Sequence, residues 1–388
     1  MNLREYLKTT NLITDGAFGT YFAAKYQTQD IPELANITAP EKVKKIHEEY
    51  LDAGAKFIRT NTFASNTETL QDDFAEVEKN IQAAVKIAKD AVNGRDAWIA
   101  GDIGPIPVNG AEDAAAAADE YYQIAKTFAK HGVTVLDFET FADLDGILPA
   151  IRKIRSEYDI FITVSFSVNQ FGYSAAGLSA KRLLADAAAV PEIDAVGLNC
   201  GVGPAHMRQI MEKAGRPGDK LLLAIPNAGY PTLTRNKLRF GNTPAYFAEK
   251  MKELQALGAD ILGGCCGTAP EFIREMSSCD GILNKIVLDT ETENGEQTEH
   301  VQRHGFLYDE NGERKQKKLI AVELAPPFDA DDEKLLESAY LLKNAGVDVL
   351  TFPDSPSGRT RVDSVLMASK VRQATGLNVM PHICCRDR

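Results

Sequence analysis

Two adjacent cysteines, Cys265 and Cys266, stand among glycines in Gly263-Gly264-Cys265-Cys266-Gly267-Thr268, directly after Ala259-Asp260-Ile261-Leu262. That short apolar run reads as a buried strand, so the thiols fall at a strand's C-terminal end. A third thiol has the same setting: Cys200 closes Ala195-Val196-Gly197-Leu198-Asn199 and precedes Gly201-Val202-Gly203-Pro204. Sulfur is a soft donor, and no further cysteine or histidine beside these three completes a closed cage. The pattern points to a zinc ion whose fourth position is left for a substrate. The paired glycines are expected to let a ligand or metal approach the backbone closely. Cys279, in a helix further on, reads instead as a small hydrophobe.

Other strand ends carry chemistry too. Asp15-Gly16-Ala17-Phe18-Gly19-Thr20 forms a turn whose backbone N–H groups suit a carboxylate, with Asp15 at its mouth. Thr60-Asn61-Thr62-Phe63, Gly101-Asp102-Ile103-Gly104-Pro105 and Asp137-Phe138-Glu139-Thr140 end three further strands. An acidic side chain such as Glu139 beside a thiol site suits a substrate ammonium group. Each of these alone is an ordinary turn or capping residue; their joint placement on one face gives them weight.

The elements that must bring them together repeat one unit. A short apolar strand ends in a polar or glycine-rich turn, a helix follows, and a glycine such as Gly54, Gly132 or Gly258 closes it. Strands are expected near 12–15, 57–61, 97–102, 134–139, 161–165, 195–199, 221–225 and 260–263. Eight such units within residues 1–287 predict an α/β fold, a (βα)8 TIM barrel, in which every loop after a strand opens on one face. Cys200 then ends the sixth strand, and Cys265 and Cys266 follow the eighth.

Composition limits the function classes. Of 388 residues, 44% are hydrophobic and 25% charged, as in a soluble enzyme, and no apolar run is long enough to span a bilayer. A net charge of −12 argues against nucleic acid, whose phosphates need a basic stripe. The first residues show no signal-peptide pattern. Six cysteines, four of them in two vicinal pairs, do not resemble a secreted disulfide framework, and a reducing cytoplasm fits better.

The set Asp15-Gly16-Ala17 with Gly19-Thr20, Thr60-Asn61-Thr62-Phe63, Gly197-Leu198-Asn199-Cys200 and Gly263-Gly264-Cys265-Cys266-Gly267-Thr268 resembles the homocysteine S-methyltransferases. The resemblance covers residues 1–287. It implies that Cys200, Cys265 and Cys266 are zinc ligands and the catalytic centre, and that Asp15, Gly16, Ala17, Asn61 and Glu139 line the homocysteine site. The expected activity is methyl transfer to the thiolate of homocysteine, giving methionine. A free thiol has a pKa of about 8.5, so little of it is thiolate at neutral pH. Zinc removes the proton, and three protein thiolates on a divalent ion leave a charge of −1, which keeps electron density on the incoming sulfur.

Beyond the barrel, residues 288–318 are polar and without apolar periodicity, as in a linker. Order is expected to resume in strands at 319–324, 347–352 and 378–383, with a helix over 332–344 and a second after Ser357-Gly358-Arg359-Thr360. Residues 319–388 thus open an incomplete second βα barrel. Val322-Glu323-Leu324-Ala325-Pro326-Pro327 and Pro381-His382-Ile383-Cys384-Cys385-Arg386-Asp387 resemble the start of methylenetetrahydrofolate reductases. That resemblance implies roles for Glu323 and Asp387 in proton transfer and near a flavin, with FAD expected only in the complete domain. Three strands cannot close a barrel, so this part is expected to be inactive by itself. Cys384 and Cys385 read as a strand-end pair with no metal role.

The methyl donor stays open among methyltetrahydrofolate, betaine, S-methylmethionine and a methyl-cobalamin protein; the reductase-like tail favours folate, directly or through a cobalamin carrier. An alternative to an enzyme is a zinc-holding scaffold or methyl-relay module without turnover.

Overall fold

A computed structural model describes residues 2–108, 111–234, 237–286, 315, 318–329, 331–354 and 361–383. The chain divides into two compact units, 1–289 and 290–388. Most of the expected linker lies outside the described residues, as do Ser357 to Thr360, Cys384, Cys385 and Asp387.

In the first unit the strands are β1 (Leu12–Ile13), β2 (Phe57–Arg59), β3 (Trp98–Ile103), β4 (Val135–Phe141), β5 (Phe161–Phe166), β6 (Ala195–Asn199), β7 (Leu221–Ile225), a hairpin of β8 (Pro231–Thr234) and β9 (Lys237–Phe240), and β10 (Ile261–Leu262). Eight of them form one parallel sheet in the order β1-β10-β7-β6-β5-β4-β3-β2. Its two edges meet: Thr14 bridges Phe57, and the Asp15 N–H donates to the Phe57 carbonyl at 2.8 Å. The sheet is therefore a nearly closed barrel, consistent with the TIM fold. All eight expected strands are present. The hairpin between β7 and the helix Pro244–Ala256 was not expected from the sequence.

Helices such as Phe74–Val92, Ala180–Ala188 and Pro244–Ala256 begin where Asp73, Ser179 and Thr243 accept a first-turn N–H. Gly54, Gly132 and Gly258 take the left-handed turns expected of them, with φ of +103°, +75° and +92°.

Strand periodicity sorts the interior. Ile13, Ile58, Leu136, Ile162, Val196 and Leu262 pack outward in the main core, while Leu12, Phe57, Ala100, Val135, Phe161, Ala195, Leu223 and Ile261 fill the barrel from within. The short helix Leu3–Tyr6 adds Leu3 and Tyr6 to that inner cluster. Two residues further along β2 to β5 the inward positions turn polar, at Arg59, Asp102, Asp137 and Thr163, followed by Glu139 and Ser165, and β6 ends in Asn199, all buried. The barrel is apolar at one end and chemically loaded at the end where the strands stop.

The second unit is a three-stranded parallel sheet, β11 (Ala321–Glu323), β12 (Val349–Phe352) and β13 (Asn378–Pro381), with helices Glu333–Asn344 and Ser364–Thr375. Leu350, Phe352, Met367 and Val371 form its own small core. Leu341 and Leu366 remain exposed on its helices. These described residues form a small sheet, and a second incomplete barrel is not evident beyond it.

Candidate active site

Three strand ends bring the sulfurs together. Cys200 follows β6, its N–H donating to the Ile225 carbonyl at 3.0 Å. Cys265 and Cys266 follow β10; the Cys265 N–H donates to Pro226 at 2.8 Å, and the Cys266 carbonyl accepts from Ala228 at 2.9 Å. The loop after β7 thus holds both thiol segments. Cys200 Sγ and Cys266 Sγ are 3.8 Å apart, and all three sulfurs lie within 4.8 Å of one another. For metal–sulfur bonds of about 2.3 Å, a tetrahedral site has sulfur–sulfur edges of roughly 3.8 Å, so the donor set fits a metal ion.

The electrostatics carry the same signature. Hydrogen bonds from Cys265 and Cys266 pull the Cys200 thiol down to about 3. Donating to Cys200 pushes Cys266 up to about 12 and Cys265 well above the usual thiol range. Only a nearby cation lets all three be thiolates together.

The paired glycines act differently from the sequence expectation. A Cβ on Gly263 would overlap Thr14 Oγ1, and one on Gly264 would overlap Thr268 Oγ1. What comes close to the backbone here is the protein itself. Thr268 Oγ1 donates to the Cys265 carbonyl at 2.6 Å, and Tyr50 Oη bridges the carbonyls of Ala17 and Thr268 at 2.7 and 2.8 Å.

The sulfurs open on a cavity of about 560 Å3, which Asp15, Gly16, Ala17, Asn61 and Glu139 also line. All the residues expected at the site therefore share one pocket. Their side chains are less free than expected. Asp15 accepts from the Arg59 N–H and Nε, both at 2.8 Å. The Ala17 N–H donates to the Thr268 carbonyl at 2.9 Å. Asn61 Nδ2 donates to the Pro32 carbonyl at 2.7 Å and to Asn36 Oδ1 at 3.0 Å, fastening the segment Pro32–Leu34 beside the pocket. Glu139 Oε2 accepts from Arg59 Nη1 at 2.6 Å and Asn199 Nδ2 at 3.1 Å, while Oε1 makes no hydrogen bond among the described residues. Burial pushes Glu139 up to about 7, with Asp137 and Cys200 adding to the rise and Arg59 opposing it. Cys279 is half-buried just past the helix Pro270–Ser277, away from this pocket's lining.

Two residues at the strand ends hold left-handed backbone that side chains rarely adopt: Thr140 at φ +69° and Cys200 at φ +54°. Asn199 sits between them. Its Oδ1 accepts from the Thr140 N–H at 2.8 Å and its Nδ2 donates to Thr140 Oγ1 at 2.7 Å. Such strain persists where surrounding contacts over-determine it, as they do at functional sites.

The model of the family described as homocysteine S-methyltransferase matches residues 12–279. The chain belongs to that family. The chain is 29% identical over 300 residues to methionine synthase of Mycobacterium tuberculosis (strain ATCC 25618 / H37Rv), and 29% over 299 residues to that of Mycobacterium leprae (strain TN). Each match covers 71% of this chain and 25% of the relative, so the chain spans about a quarter of the length of these curated relatives. In fold, the chain is similar to the homocysteine methyltransferase MmuM from Escherichia coli in its metallated form, with TM-score 0.58, 19% identity, and 69% of this chain and 95% of that one covered.

Sequence reasoning did not single out Arg59 or Asn199, the two residues that hold Glu139 Oε2. The signal for Arg59 was present: an arginine at the inward parity of an otherwise apolar strand, Phe57-Ile58-Arg59.

Proposed function

We propose that the barrel transfers a methyl group to the thiolate of homocysteine, giving methionine, with zinc held by Cys200, Cys265 and Cys266. The observation that carries this is the convergence of three sulfurs on a pocket that Glu139 and the Asp15 turn also line. Thiolate donors and an open fourth position suit catalytic zinc. When bound, zinc supplies a substrate thiol held as nucleophilic thiolate at neutral pH.

The chain's own residues do the rest. Glu139 offers Oε1 to the substrate ammonium. The substrate carboxylate meets the N-terminus of the helix Gly19–Tyr26, whose first N–H groups border the pocket. Asn199 and Arg59 hold Glu139 in place. Phe18, Ile31 and Phe63 supply apolar walls to the pocket.

The resemblance of Val322 to Pro327 supports residues 319–388 as the N-terminal part of a methylenetetrahydrofolate reductase-like barrel, joined through 288–318, with FAD needed only when that domain is complete. Glu323, on β11, is exposed in this unit. This favours methyltetrahydrofolate as donor, directly or through a cobalamin carrier, in a reducing cytoplasm. Among the described residues, no helix is long and apolar enough to cross a membrane.

The test is a donor screen on zinc-loaded full-length protein with homocysteine, scoring methionine. Turnover with one donor supports the reading. A protein that keeps zinc yet makes no methionine with any donor, and whose zinc spectrum ignores homocysteine, is the scaffold instead.

A further inference from the structure

Four carboxylates, Asp15, Asp102, Asp137 and Glu139, are buried at the loaded end of the barrel. Carboxylates buried together take up protons or need a cation among them. Arg59, 5% exposed, stands there and reaches three separate strand ends. After β1, its guanidinium meets Asp15 Oδ1 at 2.8 Å and the Gly16 carbonyl at 3.0 Å. On β4 it meets Glu139 Oε2 at 2.6 Å, and after β10 the Gly264 carbonyl at 2.9 Å.

We propose that Arg59 is a positioning residue for amino-acid recognition. It locks Glu139 from one side, with Asn199 on the other, so that Oε1 alone is presented to the substrate ammonium. It also ties the carboxylate-receiving turn to the loop that carries Cys265 and Cys266. This rests on the reading of the pocket as a homocysteine site. Charge alone does not meet the geometry. Nε meets the end of β1, Nη1 meets β4, and Nη2 spans the ends of β1 and β10, a planar fork that the single nitrogen of lysine cannot reproduce.

The experiment measures ligand affinity by calorimetry on the zinc-loaded full chain. Two ligands are compared: homocysteine and 4-sulfanylbutanoate, the same chain without its amino group. Arg59→Lys is expected to weaken homocysteine by about tenfold or more, as loss of an aligned charge-assisted contact does. It should weaken 4-sulfanylbutanoate, which keeps the carboxylate but lacks the ammonium, several-fold less, and leave the zinc content unchanged. Arg59→Ala should do the same, with partial recovery of homocysteine affinity on adding guanidinium below denaturing concentrations. Equal weakening of both ligands, or loss of zinc with affinity, assigns Arg59 a general structural role and overturns the proposal. So does Arg59→Lys binding homocysteine as the wild type does, or misfolding of both variants. Failure of the wild type itself to bind homocysteine overturns the functional reading, and this inference with it.

Discussion

Cys200 Sγ and Cys266 Sγ lie 3.8 Å apart although 66 positions separate them in the chain. They meet because Cys200 follows β6 and Cys266 follows β10, with β7 between the two strands and its loop hydrogen-bonded to both thiol segments. The pair is close enough to share an ion and too far apart to be a disulfide, whose sulfurs are bonded at about 2.0 Å.

The first prediction concerns the metal. Purified under reducing conditions, the chain should hold about one zinc, and Cys266→Ala should lose most of it. Chelation should also lower the melting temperature, since an ion at about 100 times its dissociation constant stabilises the folded state by roughly 2.7 kcal/mol. Elemental analysis showing full zinc in Cys266→Ala would end the three-sulfur assignment.

Substrate binding gives the second. Homocysteine should release a proton near neutral pH as its thiol loses it at the metal site, seen as binding heat that varies with the ionisation enthalpy of the buffer. Glu139→Gln should weaken binding by roughly 1.5–3 kcal/mol without changing zinc content. Buffer-independent heat counts against sulfur coordination.

Asn199 yields a third. Its side chain holds both Glu139 Oε2 and the left-handed Thr140. Asn199→Ala leaves the Thr140 N–H and hydroxyl without their partner and Glu139 Oε2 held by Arg59 alone, and should lower kcat/KM by about tenfold, a loss of roughly 1.4 kcal/mol. Steady-state kinetics with metal content measured in parallel checks it; unchanged kcat/KM removes Asn199 from the site.

His47 supplies a pH dependence. It is fully buried against Phe18, neither ring nitrogen has a hydrogen-bond partner among the described residues, and burial pushes its pKa down to about 4. The unfolded chain binds this proton below about 6.5 while the folded chain refuses it until about 4, so stability falls as pH drops through that window, by roughly 3 kcal/mol. His47→Leu should remove that part of the slope. Denaturant melts of both proteins at pH 7 and pH 4.5 measure it, and parallel curves would exclude His47 as the cause.

A fifth concerns the two units. The barrel has eight strands and its own core and should fold as residues 1–287, whereas three strands cannot close a barrel. Proteolysis should cut first between Asp289 and Lys318, where the sequence has no apolar face to anchor it. The released barrel should keep zinc and homocysteine affinity; loss of both on removing the tail would place the tail in the site.

The sequence by itself determined the strand–helix rhythm, the eight strands and the thiols at strand ends. Each of these depends on local pattern: an apolar run, a glycine that closes a helix, a glycine-flanked cysteine. It also placed Glu139 and Asp15 at one face, since every strand of a parallel barrel ends on the same side. Tertiary structure alone decided which of those groups are free. Asp15, read as a residue at the mouth, is held by Arg59; Asn61 fastens the segment Pro32–Leu34; Gly263 and Gly264 admit Thr14 and Thr268 and not a ligand. These outcomes depend on contacts between strands far apart in the chain, such as Arg59 with Glu139 and Gly264. A buried polar group takes whichever partner the closed barrel brings within hydrogen-bond reach, and that choice is made by the packing of all eight strands at once.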